Sequence, residues 1–185
     1  VHLRYGVAPD VAVFAKALGN GHPMAAGIGR ADVMQAAQET FISSTYWTEG
    51  VGPTAALATL RKMQRIDVPG HVAAMGTRFR SGLEHIAGRH ALRLKLGGHP
   101  ALTTVGFDDP DSLALQTLLT VRMLARGILA GGAFYPSLAH TEDHVDRYLA
   151  AAEEIFAELA EAAHQGDAAR RIGGPVRHGG FARLA

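Results

Sequence analysis

Short apolar runs alternate with segments of helical periodicity along the whole chain. Residues 11–14 form a compact apolar run between turn-forming residues, and residues 25–29 form a second run of small residues. Both runs predict strands, the first of them buried. Small residues in a strand indicate that something approaches its backbone closely. A short helix is predicted over residues 31–38, and helical spacing returns from Thr48 as an alanine-rich segment of high helix propensity.

The second half of the chain continues this alternation. The sequence Asp-Val-Pro-Gly at residues 67–70 predicts a break after the preceding helix, because proline removes a backbone donor. The further predicted elements are a helix over residues 71–89, strands over 92–96, 101–107 and 128–130, and a helix over 111–126. Helices that alternate with strands in this way predict an α/β or α+β fold.

A long amphipathic helix is predicted from Thr141, which suits the N-cap position and precedes two acidic residues. Its apolar positions recur at helical spacing from Val145 to Leu159. A tail follows that is rich in glycine and arginine and has no periodicity. The composition changes close to the break predicted at residues 67–70, and the tail begins after the last helix. These two boundaries divide the chain into three segments, residues 1–66, 67–165 and 166–185.

Composition and charge narrow the class of protein. The net charge is +1 at pH 7 and the basic residues are scattered, so nothing favours a nucleic-acid partner. The sequence has no apolar run of about 18 residues, so no membrane partner is predicted. It has no cysteine, which excludes disulfides and thiolate metal sites and fits a reducing compartment. We therefore expect a cytoplasmic protein.

Ten histidines raise the question of a metal site. Only His140 and His144 have the i, i+4 spacing of a helical pair, and no acidic residue completes the zinc-protease pattern. The histidines are therefore interpreted as surface or capping residues, and no metal is predicted.

Lysine is rare in this chain, with Lys16, Lys62 and Lys95 as its three examples. Lys62 follows an arginine on a predicted helix and Lys95 alternates with leucines, so both are expected to face solvent. Lys16 lies between the apolar run 11–14 and the turn Gly-Asn-Gly at residues 19–21. A lysine that forms a Schiff base needs a neutral amine, a fixed position and surroundings that exclude water. Lys16 fits this role, and an ordinary exposed lysine at a strand end is the alternative.

Hydroxyl side chains gather ahead of the helix predicted from Thr48. Ser43, Ser44 and Thr45 precede it, and hydroxyls together with free amides at a helix N-terminus form a site for a phosphate. Ordinary capping by Thr48 is the alternative interpretation. Pyridoxal phosphate requires both an amine and a phosphate site, so the lysine and the hydroxyls support each other.

Three blocks of sequence, residues 5–10 (YGVAPD), 14–21 (FAKALGNG) and 23–26 (PMAA), carry a resemblance to a known family. They resemble the segment around the cofactor lysine of class III aminotransferases, most nearly the branch similar to glutamate-1-semialdehyde aminomutase. The resemblance implies an α/β fold of the fold-type I pyridoxal-phosphate-dependent transferases. Residues 1–66 would then be the C-terminal part of the large, cofactor-binding domain, and residues 67–165 the α+β C-terminal small domain.

The resemblance also implies roles for individual residues. Lys16 would form the internal aldimine with pyridoxal 5′-phosphate and move the proton during catalysis. Alignment through residues 57–60 places the family's phosphate-binding threonine at Thr45, with Ser44 beside it. In the family this threonine reaches the cofactor of the neighbouring subunit, which implies a homodimer with a shared site. Residues 47–49 depart from the family's Ser-Gly-Asn, so the substrate stays open.

The expected reaction is transfer of an amino group between a small-molecule amino donor and a keto acid or aldehyde acceptor. Two alternatives stay open, an intramolecular aminomutase and a non-catalytic remnant that acts as a dimerisation module. The sequence begins without methionine, just after the place where the family carries the aspartate that pairs with the cofactor ring. We therefore expect a fragment, inactive alone, with that aspartate, a stacking aromatic and a glycine-rich phosphate loop upstream.

Overall fold

The chain folds as two units, an N-terminal unit that ends at Asp67 and a C-terminal unit that begins at Val68. The structure is a computed structural model and describes residues 2–180. Val1 and residues 181–185, the last part of the predicted tail, lie outside the described residues. None of the helices described there combines the length and the apolar character needed to cross a bilayer.

The N-terminal unit is built on one antiparallel strand pair. In chain order, its elements are a 3-10 helix at His2–Tyr5, β1 (Val11–Phe14), a 3-10 helix at Lys16–Leu18, β2 (Ala26–Gly29), α1 (Ala31–Met34), a 3-10 helix at Gln35–Glu39, and α2 (Val51–Arg65). Val11 lies opposite Gly29, and Phe14 lies opposite Ala26. Both predicted strands are therefore confirmed, whereas the helix predicted over 31–38 is divided between α1 and 3-10 turns.

The prediction that β1 is buried is wrong. The side chain of Val13 is 75% exposed and that of Phe14 is 43% exposed. An apolar run is buried only where other elements cover both faces of its strand, and within residues 2–67 the one strand bonded to β1 is β2. The strand forms because it pairs with β2 and contains β-branched valines, and not because its side chains are buried.

The C-terminal unit packs helices against a three-stranded antiparallel sheet. Its elements are α3 (Val68–Arg89), β3 (Leu94–His99), β4 (Leu102–Phe107), α4 (Ser112–Ala125), β5 (Ala133–Phe134), α5 (Glu142–Gln165) and α6 (Ala168–Ile172). The strand order is β3-β4-β5, and Leu94 lies opposite Phe107. The predictions of α3, β3, β4, α4 and α5 are confirmed, with ends that differ by a few residues.

The core of this unit is formed by the apolar faces of its long helices. Its most completely buried large apolar side chains are Leu83, Leu115, Leu118, Met123, Ile155, Phe156 and Leu159. Each such side chain contributes about 1.5–3 kcal/mol to the free energy of unfolding. The apolar face predicted for α5 is confirmed, since Val145, Phe156 and Leu159 are all buried on it.

The break predicted after the preceding helix is confirmed, since α2 ends at Arg65 and α3 begins at Val68, but it is shorter than residues 67–70. Residues 68–70 are the first turn of α3, because proline near a helix start gives up an amide that has no helical partner anyway. One strand prediction in this unit is wrong. The strand expected over residues 128–130 is absent from the sheet; the chain first reaches β4 where the amide of Val105 donates to the carbonyl of Gly132 at 2.9 Å. Phe134 then provides the apolar side chain that anchors β5.

The cap predicted for α5 is confirmed, and the segment after it contains an unpredicted helix. Thr141 is the N-cap and forms a reciprocal capping box with His144, and Gly166 ends α5 in the left-handed region at φ 64°. Ala168 and Ile172 of α6 are buried in the core. Two apolar positions are too few to show helical periodicity, which explains why no helix is predicted in the tail.

Two glycines of α3 provide a matched pair of stability predictions. A Cβ at Gly76 would overlap the carbonyl oxygen of Pro100, whereas nothing lies within 4 Å of a Cβ at Gly88. Gly76→Ala is therefore expected to lower the free energy of unfolding by about 1–3 kcal/mol. Gly88→Ala is expected to raise it by about 0.5–1 kcal/mol, because alanine favours the helix. Urea denaturation of both variants measures the difference, and equal effects would contradict the packing described for Gly76.

Candidate functional site

Lys16 stands at the exit of β1, on a turn with unusual backbone angles. Its φ is 54° and that of Asn20 is 48°, both in the left-handed region that side chains disfavour. The amide of Asn20 donates to the carbonyl of Lys16 at 3.0 Å, which closes the turn. Strained backbone of this kind persists where the surrounding structure imposes it, and it concentrates at functional sites.

Gly19 makes this turn possible. It is buried, and a Cβ at this position would overlap the backbone carbonyl of His22. The 3-10 helix Lys16–Leu18 also packs against α2. The position of Lys16 is therefore fixed from both sides of the turn.

The side chain of Lys16 is exposed, and it makes no hydrogen bond or ion pair with the residues that the structure describes. The expectation of surroundings that exclude water is thus not met within residues 2–67. The cause is the same as for β1, since the strand pair carries no covering layer there. The amine is left available to react.

The two predicted phosphate-binding residues lie on an exposed loop before α2. Ser44 Oγ accepts a hydrogen bond from the amide of Tyr46 at 3.2 Å. The hydroxyl of Thr45 has no partner among the described groups. No hydrogen bond joins either residue to Lys16 in this part of the chain. Of these two hydroxyls, that of Ser44 accepts one hydrogen bond and that of Thr45 makes none with a described group.

Glu49 caps α2, which the sequence reasoning missed. Its carboxylate accepts hydrogen bonds from the amides of Val51 at 2.5 Å and Gly52 at 2.9 Å. The helix consequently begins at Val51 and not at Thr48, and its first amides are not free for a phosphate as expected. An acidic residue directly before the helical segment was the available signal, because negative charge stabilises a helix N-terminus.

Gly52 brings the two sequence blocks of the N-terminal unit together. A Cβ at Gly52 would lie 2.5 Å from the carbonyl oxygen of Pro23, so only glycine allows α2 to approach this segment so closely. A shallow groove of about 520 Å³ lies beside this contact. Its lining residues are His22, Gly50, Val51, Thr54, Ala55 and Ala58. The segment that follows Lys16 and the start of α2 thus form one local structure.

The Glu49 cap gives a prediction about local stability. Glu49→Ala removes the acceptor of two amides and is expected to destabilise the first turn of α2 by about 1 kcal/mol. Amide hydrogen exchange at Val51 and Gly52 is expected to accelerate accordingly. Glu39→Ala, which changes an exposed glutamate of the same unit, is the control. Unchanged exchange in Glu49→Ala would show that the cap contributes nothing.

Histidines in the C-terminal unit serve local structure. His71 Nε2 donates to the carbonyl of His140 at 3.0 Å, and His144 completes the capping box of α5. Across residues 2–180, no three histidine or acidic side chains are arranged to hold a metal ion.

A family model describes most of this chain. The model of the class-III aminotransferases matches residues 1–156. The chain belongs to this family, and the resemblance noted in the sequence is confirmed. Pyridoxal phosphate is the family's cofactor. Two solved structures that match this chain, the FumI protein and a transaminase, contain it.

Individual relatives agree with this assignment. The chain is 31% identical over 162 residues to the aminopentol aminotransferase of Sphingopyxis macrogoltabida, and the match covers 83% of this chain and 37% of that protein. It is 30% identical over 174 residues to the glutamate-1-semialdehyde 2,1-aminomutase of Nitrosomonas europaea, with 83% and 39% covered. The chain thus spans less than two fifths of the length of these relatives.

Solved structures confirm the predicted fold class. The PLP internal aldimine form of the FumI protein of Sphingopyxis sp. MTA144 superposes with a TM-score of 0.79 at 29% identity. That match covers 87% of this chain and 39% of the FumI chain. The mixed helices and strands described above are therefore part of a fold-type I pyridoxal-phosphate-dependent transferase.

Proposed function

We propose that this chain carries the lysine-bearing part of a pyridoxal-phosphate-dependent aminotransferase site, with the cofactor attached through Lys16. The observation that carries the proposal is the turn at Lys16, where a strained backbone fixes an amine that has no partner among the described residues. A lysine with a purely structural role would be stabilised more by an ion pair or by a turn with ordinary backbone angles. An amine kept free at an imposed position suits covalent attachment.

The residues present fit this cofactor in part. The Lys16 amine can hold its aldehyde, and the free hydroxyl of Thr45 can donate to a phosphate oxygen, with Ser44 beside it. The first amides of α2 cannot join them, because the carboxylate of Glu49 already occupies these donors and would repel a phosphate. Phosphate binding in this chain would therefore depend on the hydroxyls.

When bound, the cofactor supplies an electron sink for cleavage of bonds at the amino-bearing carbon. The role of Lys16 is to hold it, and then to accept and return a proton through its amine. Such a transfer requires the amine to be unpaired, as it is here.

We also propose a homodimer in which the loop of Thr45 reaches the site of the neighbouring subunit. The loop carries Phe41 at 95% exposure and Trp47 at 67% exposure. Large apolar side chains grouped at the surface are typical of protein–protein interfaces. The free hydroxyl of Thr45 lies between them in sequence, as a residue shared across such an interface would.

We propose a division of the chain into domains that agrees with this function. Residues 1–66 would be the last part of the cofactor-binding domain, residues 67–165 the C-terminal small domain, and 166–185 a tail whose helix α6 docks on that domain. Cytoplasmic localisation is proposed on the lack of cysteine alone.

The proposed reaction is transfer of an amino group from a small-molecule donor to a keto acid or aldehyde. Intramolecular amino shift is the second candidate, favoured by the match to an aminomutase. Product analysis with a donor labelled at its amino nitrogen separates the two. Transfer predicts label in an added keto acid and no reaction without it, whereas the amino shift predicts a labelled isomer without any keto acid. Label in neither product, from a protein that includes this chain and binds pyridoxal phosphate, would contradict both.

A further inference from the structure

The C-terminal unit contains a cavity of about 530 Å³ beside the first turns of α5. Its wall is mainly apolar, with Phe79, Val105, Phe134 and Val145 among the lining residues. Phe79 stacks on Phe134 at 4.5 Å between ring centroids, which gives the cavity a rigid aromatic side. Cavities of this size and character are typical of small-molecule sites.

Two histidines present fixed donors to this cavity. The amide of Ser137 donates to Nδ1 of His140 at 3.1 Å, and the amide of Thr141 donates to Nδ1 of His144 at 3.1 Å. A ring nitrogen that accepts a hydrogen bond carries no proton, so the N–H of each ring is on Nε2. Both rings line the cavity, and this arrangement also argues against their use as metal ligands.

Arg147 contributes the positive charge. The other arginines described in the C-terminal unit are bonded to carboxylates, to backbone carbonyls or to Gln116. Arg147 has no such partner among residues 2–180, and it lines the cavity. Its Nη2 would be 3.9 Å from a Cβ at Gly127, so the guanidinium lies near the glycine-rich segment at the rim.

Tyr148 adds a hydroxyl without a partner. Its ring packs edge-on against Phe79 at 4.9 Å, and burial raises the pKa of its phenol to about 12. The phenol therefore keeps its proton at neutral pH and can donate. No hydrogen bond joins this hydroxyl to a described group, so it is available to donate to a ligand in the cavity.

We infer that this cavity binds a small organic monocarboxylate whose apolar body lies against Phe79 and Phe134 and whose carboxylate is bound by Arg147 and Tyr148. The polar groups named on its lining are all donors, and no acidic side chain lines it. One formal positive charge matches a monoanion, and the aromatic wall matches a hydrocarbon body. The inference goes beyond the proposed function, because the cavity includes none of Lys16, Ser44 and Thr45.

Phenylbutyrate is the probe, and its neutral amide, phenylbutyramide, is the ligand control. Equilibrium dialysis against the 185-residue chain without pyridoxal phosphate is expected to show saturable binding of the acid and at least tenfold weaker binding of the amide. Arg147→Gln is expected to weaken binding of the acid about tenfold, and Tyr148→Phe about three- to tenfold. Arg93→Gln removes an exposed arginine outside the cavity and is expected to change nothing.

Three results would overturn this inference: no saturable binding, equal binding of acid and amide, or equal affinity in Arg147→Gln and Arg93→Gln. Arg147 is exposed, so its variant is expected to fold, which its circular dichroism spectrum checks. Attachment of pyridoxal phosphate in Arg147→Gln is expected to equal that of the unmodified chain. A failure at the cavity is thereby distinguished from a failure at Lys16.

Discussion

Lys16→Ala is expected to abolish covalent attachment of pyridoxal phosphate to the chain. The visible absorbance of the bound cofactor would disappear, because alanine has no amine to form the bond. Lys62→Ala and Lys95→Ala are matched controls that remove the other two lysines of the sequence. All three lysines are exposed, so solvent access alone does not separate them. Only Lys16 has a backbone held in the left-handed region.

The expected pattern is therefore loss of absorbance in one variant and full absorbance in the two others. Equal, partial losses in all three would indicate nonspecific reaction of pyridoxal phosphate with surface amines. Complete absence of absorbance in the unmodified chain would favour the non-catalytic remnant. Each result is read from a single titration of the chain with the cofactor.

Phe156→Ala is expected to lower the free energy of unfolding of the C-terminal unit by about 3–5 kcal/mol. Phe156 is fully buried, and its ring meets that of Phe107 edge-on at 6.3 Å. Truncation leaves a cavity that surrounding helices cannot fill completely. Leu129→Ala shortens an apolar side chain of the same unit that is 90% exposed, and is expected to cost less than about 0.5 kcal/mol.

Urea denaturation followed by circular dichroism measures both variants. A loss below about 1 kcal/mol in Phe156→Ala would contradict the close packing of α5 against α3 and α4. A comparable loss in Leu129→Ala would show that the effect does not depend on burial of the side chain.

Elements with strong local signals were predicted from the sequence. The apolar face and the Thr141 cap of α5 follow from helical spacing and from side-chain chemistry at the N-cap. β1 and β2 follow from short apolar runs between turns. The exposure of β1 was not predictable in the same way, because an apolar run indicates which residues suit a covered strand and not whether other elements cover it.

Features that depend on contacts distant in sequence were missed. The edge strand β5 is selected by Phe134 stacking on Phe79, 55 positions earlier along the chain. Within the candidate site, Lys16 was identified from its turn and from the family resemblance. The Glu49 cap has a sequence signal, an acidic residue directly before the helix, which the reasoning did not use. The approach of Gly52 to Pro23 has none, because it depends on which backbone groups lie nearby in the fold.

The proposed role of Lys16 is tested most directly by identifying the amine that holds the cofactor. The chain is incubated with pyridoxal phosphate, reduced with borohydride to fix the cofactor irreversibly, digested, and mapped by mass spectrometry. One cofactor group per chain is expected, on the peptide that contains Lys16. Label spread over Lys62, Lys95 and the N-terminal amine, or no label at all, would contradict that role.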